Sequence, residues 1–195
     1  MFSIIFQIQE EEKKELQNLD IKIFDSEFRE VHGPIEIYFN SQKYGYLVEL
    51  PFHLPMANEL LLLWFRMFNK TALKLIEGNE YVAFKLPEVP YAWFEFINQG
   101  QSVLIRQVEA TSRIPDSIIT NPKPEFHSKW ESYEIINKQQ FIAEVITKTQ
   151  DFVENIRTIN AILLESKSIN QLLDIHVNLL RATKNKGLLP ENINI

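Results

Sequence analysis

Proton transfer or metal binding in this sequence would have to come from four histidines and a few placed carboxylates, because the 195 residues include no cysteine. That absence removes a thiolate nucleophile, a disulfide and any cysteine-ligated metal. His32, His53, His127 and His176 are widely separated, and none has a second histidine or an acidic pair at metal-ligand spacing. The chain has no H-E-x-x-H and no G-x-S-x-G; its five glycines form neither G-x-G-x-x-G nor a Walker loop. No metal, nucleotide or other cofactor is therefore expected. A Ser-His-Asp triad leaves no linear trace, since only the fold brings its members together.

Each group then has a chemical and a bland reading. His53 lies between Pro51 and Pro55 at a strand-to-helix corner, and an enzyme without a linear signature would place its cleft there under residues 111–129. His127, beside Glu125, reads as a solvated loop residue, and His176 falls in a leucine stripe and reads as a packed helix residue. Glu95 alternates with Tyr91, Trp93 and Ile97 on the most apolar segment of the chain. Burial there would raise its pKa and suit a general acid or base, but pairing with Arg106 on the neighbouring strand is the expected outcome. Tyr38, Tyr44, Tyr46, Tyr81, Tyr91 and Trp93 suit either an aromatic interface or strand packing, and packing is expected for most.

The remaining carboxylates are read through charge. Residues 1–110 hold 16 Asp and Glu against 10 Lys and Arg, whereas residues 111–195 hold 10 of each, so the whole net charge of −6 belongs to the first part. Such a surface repels phosphate backbones, which argues against nucleic acid as a partner. It would speed encounter with a basic protein, although ordinary solubility explains it equally. Glu10, Glu11 and Glu12 precede Lys13 and Lys14, and Glu27 and Glu30 flank Arg29. These five glutamates are the candidate partner-binding residues.

The elements that would hold these groups follow from periodicity. Phe2, Ile4, Phe6 and Ile8 alternate as a strand with one wet side, and the charged run after them is a turn or short exposed helix. Ile21 and Ile23 suggest a short second strand, and residues 25–34 a loop ending in a Gly-Pro breaker. Ile35, Ile37 and Phe39 pair with Tyr46, Val48 and Leu50 as a hairpin across residues 41–45. A central helix is expected from Pro55 to Gly78, with Ala57, Leu61, Trp64, Phe68, Ala72 and Leu75 in one stripe. Arg66 and Lys70 interrupt it too early for a membrane span, so no membrane association is expected. Strands around Val82–Leu86, Ala92–Ile97 and Val103–Val108 complete a mainly antiparallel sheet.

Residues 111–129 carry three prolines and no steady period, which marks a functional loop, a lid or a linker. Trp130, Tyr133, Ile135 and Ile136 suggest a last strand. Beyond it Ile142, Val145, Thr149, Phe152, Ile156 and Ile159 step by three and four, with Asn137 and Gln140 as a capping pair. Ser168 and Gln171 open a second helix whose face is Ile169, Leu172, Leu173, His176, Leu179 and Leu180. The two helices make a hairpin that buries its apolar face on its own sheet or, alternatively, on a second copy in a homodimer. The expected class is α+β, a mainly antiparallel sheet packed on a central helix with a C-terminal helical hairpin. Residues 1–137 form the core, with 138–195 packed on the same domain. The N-terminal segment lacks the flank and cleavage site of a secretion signal, so a cytoplasmic location is expected.

The hairpin IEIYFNSQKYGYLVEL, the helix ELLLLWFRMF, the strand pair YVAFKLP and YAWFEFINQGQSVLIRQVEA, and the closing WESYEIINKQQFIAEVITKTQDFVENI span residues 35–157. In arrangement and composition this pattern resembles the small bacterial immunity proteins that neutralise polymorphic or contact-dependent toxins. The resemblance implies a non-catalytic inhibitor that binds and blocks a toxin made by the same cell, and it transfers no individual residue role.

Overall fold

In the computed structural model, which describes residues 1–47 and 58–188, every strand pairing is antiparallel and helices pack against the sheets. The class is α+β. Strand β1 (Phe2–Phe6) pairs with β3 (Ile35–Phe39), which pairs with β4 (Gln42–Gly45). Helix α1 (Glu10–Gln17) follows β1 and buries only Leu16. A two-residue ladder joins β2 (His32–Gly33) to β5 (Glu59–Leu60), directly before helix α3 (Leu61–Ile76).

The larger sheet contains β6 (Tyr81–Lys85), β7 (Ala92–Gln99), β8 (Ser102–Ala110), β9 (Ile118–Ile119), β10 (Phe126–Ser128) and β11 (Glu134–Asn137). Its order is β10-β8-β7-β6-β9, with β11 also on β8. Residues 92–96 of the central β7 are all buried, as its two apolar faces predict. One face, with Phe84, Phe94, Phe96 and Ile105, meets α3 in the main core. The other packs Trp93 and Val108 against Ile114 and Ile119. Residues 111–129 therefore cover the second face, with β9 pairing to β6 and β10 to β8.

Helix α3 is the centre of the core because aromatic groups leave it on several sides. Trp64 stacks on Phe68 at 5.6 Å, Phe65 on Phe152 at 4.7 Å, and Phe68 meets Phe84 edge-on at 5.4 Å. Helix α4 (Lys138–Asn160) starts at Asn137, whose Oδ1 accepts the Gln140 N–H at 3.0 Å. Of the predicted stripe it buries Ile142, Val145, Thr149, Phe152 and Ile156 and leaves Ile159 half-buried. A 3₁₀ turn over Ala161–Glu165 leads into α5 (Lys167–Asn185), which lies chiefly on α3. The apolar stripe of the helical hairpin is thus buried on the chain's own core.

Several local expectations give way. Ile21–Ile23 is a short helix, α2, not a strand, because Asp20 caps it by accepting the Lys22 N–H at 2.7 Å. It runs into a π-helical turn, Phe24–Phe28, closed by Arg29 in the left-handed region at φ 57°. Phe24 is fully buried there. The hairpin turns at Asn40 and Ser41, so β4 is Gln42–Gly45 and Tyr46 lies beyond it. Asn40 takes φ 49°, which asparagine tolerates in a tight turn. Helix α3 begins at Leu61, since Glu59 and Leu60 are drawn into the ladder with β2. The cap of α5 is Ser166, whose Oγ accepts the Ile169 N–H at 3.2 Å, in place of Ser168. Val48, Leu50, Pro51, His53, Pro55 and Ala57 lie outside the described residues.

Candidate functional site

The acidic residues expected on a partner-binding face separate into an exposed and an inward-turned set. Glu10, Glu11 and Glu27 are exposed, and Glu10 holds Lys13 at 2.6 Å. Residues 10–29 carry seven carboxylates against four basic groups, a net charge of −3 spread over α1, Asp20 and the π-turn. Glu12 bends towards β2, where its Oε1 accepts the His32 N–H at 2.8 Å and lies 3.3 Å from His32 Nδ1. The hydrogen bond to Glu12 raises the imidazole pKa against the opposing effect of burial, and the charges of Glu12, Glu30 and Glu88 add to it.

Glu30 turns inward. It is buried, with 8% of its surface exposed, and so does not belong to the acidic face. Its Oε1 accepts the N–H groups of Val31 at 3.0 Å and Leu62 at 2.6 Å, and the Arg66 guanidinium lies 3.9 Å from Oε2. Glu30 is thereby the cap of α3, satisfying a donor that the helix start would otherwise leave open. Burial pushes its pKa up to about 7, with the Val31 N–H, Arg66, the Leu62 N–H and His32 pulling the other way. Next to it Glu59 accepts the Trp64 Nε1–H at 2.9 Å, and burial raises its pKa as well. Glu12, Glu30, His32, Glu59 and Arg66 thus gather where α1, β2 and the start of α3 meet. Sequence spacing carries no sign of this meeting, because residues up to 54 apart are brought together by the β2–β5 ladder and by the Glu12 and Glu30 hydrogen bonds beside it. Among the described residues no three histidine or carboxylate side chains are placed to hold a metal ion.

Glu95 follows the bland expectation. It is 4% exposed and pairs with the Arg106 Nε on the adjacent strand, in register with it. The hydroxyls of Tyr81 and Tyr133 also donate to it, at 3.0 and 2.8 Å, and the Arg106 guanidinium stacks 4.2 Å from the Tyr133 ring. Burial and the Glu95 carboxylate hold both tyrosines protonated, Tyr133 at about 12. Four acceptor and donor groups are consumed in one another.

His176 is buried on α5, and its Nδ1 lies 2.9 Å from Asn69 Oδ1 on α3. Asn69 Nδ2 in turn donates to Phe65 O and to Thr149 Oγ1 on α4, at 2.8 and 2.7 Å. This polar chain ties three helices inside the core. His176 Nε2 has no partner, and burial pushes the ring's pKa down to about 4, so the imidazole is neutral with its proton on Nδ1. His127 is exposed on β10. Of the aromatic residues, Tyr44 packs on Trp64 and Phe94, whereas Tyr46 and Tyr91 are exposed.

A groove of about 410 Å³ runs between β1 and α4, lined by the segment Ile4–Ile8 and by Lys13, Lys148, Asp151, Glu154 and Asn155. It borders the acidic flank at α1. Comparison with known protein families, curated proteins and solved structures finds no match to this chain.

Proposed function

We propose that this chain acts by recognition, as a binding or inhibitor module of the immunity type directed at a basic partner protein. The observation that carries the reading is the way its ionisable groups are used. The groups that would serve as reagents, Glu30, Glu95 and His176, are each engaged by partners that hold the fold together. What remains open to solvent is an acidic flank over residues 10–29, whose field attracts and orients a basic surface. The enzyme alternative at His53 lies outside the described residues, and the segment 111–129 that would cover it is paired onto β6 and β8.

The test is retention of a basic protein from the native host on the immobilised chain, followed by the combined reversal Glu10→Lys, Glu11→Lys and Glu27→Lys. Retention should weaken as salt rises and be lost in the reversed chain while its circular dichroism stays unchanged. A partner held equally by the reversed chain rules out the acidic flank. Catalytic turnover of a substrate at a defined side chain would overturn the reading altogether.

A further inference from the structure

We infer that the groove between β1 and α4 is a strand-addition site, which takes an extended, basic segment of the partner protein against the edge of β1. The inference rests on the recognition reading and names how the partner is held.

The backbone of β1 makes the case. Gln7 N–H donates to Pro34 O, and Asn40 N–H donates to Met1 O. With the register Ile4↔Ile37, these bonds place the backbone groups of Met1, Ser3, Ile5 and Gln7 on the β3 side. Those of Phe2, Ile4 and Phe6 therefore point to the opposite edge, where no strand pairs among the described residues. Ile4 N–H is taken by Glu144 Oε1 at 2.9 Å, which confirms the direction. The Phe6 N–H and the carbonyls of Ile4 and Phe6 have no partner among the described residues. They lie on the groove side at two-residue spacing, over about 7 Å from Ile4 to Phe6 at an extended rise. Donors and acceptors repeated at that spacing match another extended backbone.

The charge of the occupant follows from what surrounds the groove. Lys148 is held by Asp151 at 3.0 Å, Lys13 by Glu10, and Arg157 by Glu154. Counting Glu144, carboxylates around the groove outnumber bases by one, and the acidic flank adjoins it at Lys13. An added strand turns alternate side chains towards Asp151 and Asn155 on α4 and the others beside the exposed Ile5. Alternating basic and apolar residues meet both conditions.

The experiment uses the full chain, ¹⁵N-labelled, with three short blocked peptides: one alternating valine and lysine, the same peptide N-methylated on the residues that would donate to β1, and one alternating valine and glutamate. The lysine peptide should shift the Phe6 amide and its neighbours in β1. N-methylation should weaken binding roughly tenfold or more, since it removes at least two backbone hydrogen bonds. The glutamate peptide should not bind. Equal binding of the methylated peptide, binding of the glutamate peptide, or shifts that leave Phe6 unchanged would each overturn strand addition. Those outcomes are separable from failure of the recognition reading, which the charge reversal with the native partner tests independently.

Discussion

Glu30 and His176 are both buried titratable groups, yet they act on stability with opposite signs. Glu30 keeps its proton up to about pH 7 in the fold, whereas an unfolded glutamate loses it near 4.5. The folded state then binds more protons between these values, so the Glu30 contribution falls as pH rises through that window. His176 resists protonation down to about pH 4 in the fold, against 6.5 when unfolded, so its contribution is complete above 6.5 and is lost as pH falls towards 4. Between pH 4.5 and 6.5 the two slopes oppose each other. Urea unfolding at pH 5 and pH 7.5 should therefore show a larger acid loss in Glu30→Gln than in the parent chain, and a smaller one in His176→Leu. The identity of the substitution at Glu30 matters as well. Gln retains an acceptor for Val31 and Leu62 and should cost about 1 kcal/mol or less, whereas Ala leaves two buried N–H groups open and should cost about 1–3 kcal/mol. Equal unfolding midpoints for Gln and Ala would refute the capping role.

Among the elements, the β2–β5 ladder is the shortest and the most exacting. A Cβ on Gly33 would lie 2.0 Å from the Gln7 carbonyl oxygen and 2.9 Å from Leu61 Cδ1. One of these is backbone, which has nowhere to move without breaking the Gln7–Pro34 bond beside it. Gly33→Ala should destabilise by several kcal/mol, well beyond the roughly 1–3 kcal/mol typical of overpacking. Thermal melting checks it, and an unchanged melting temperature would refute the close approach. The same ladder explains which elements could be read in advance. Strands β6, β7 and β8 and helices α3, α4 and α5 carry sustained periods, and their faces emerged as expected. Ile21 and Ile23 offered only two alternating positions, too few to separate a strand from a capped helical turn. The ladder itself is two residues long and set by tertiary contact, so neither the late start of α3 nor the inward turn of Glu30 had a local signature. Glu95 was legible because a carboxylate on an apolar strand has few ways to be satisfied. The Tyr81 and Tyr133 hydroxyls that complete its site lie 14 and 38 residues away.

For the molecule as a whole, the two sides of the large sheet are used differently. The helices close one, and the proline-containing segment 111–129 closes the other, with β9 and β10 finishing opposite rims. These rim strands, with β11 beside β10 on β8, are only two, three and four residues long. Short rims give an incoming chain too little backbone to template on. Short rims of this kind should disfavour end-to-end growth of the large sheet into fibres. A lesion that unpins residues 111–129 should therefore be felt first as a tendency to polymerise.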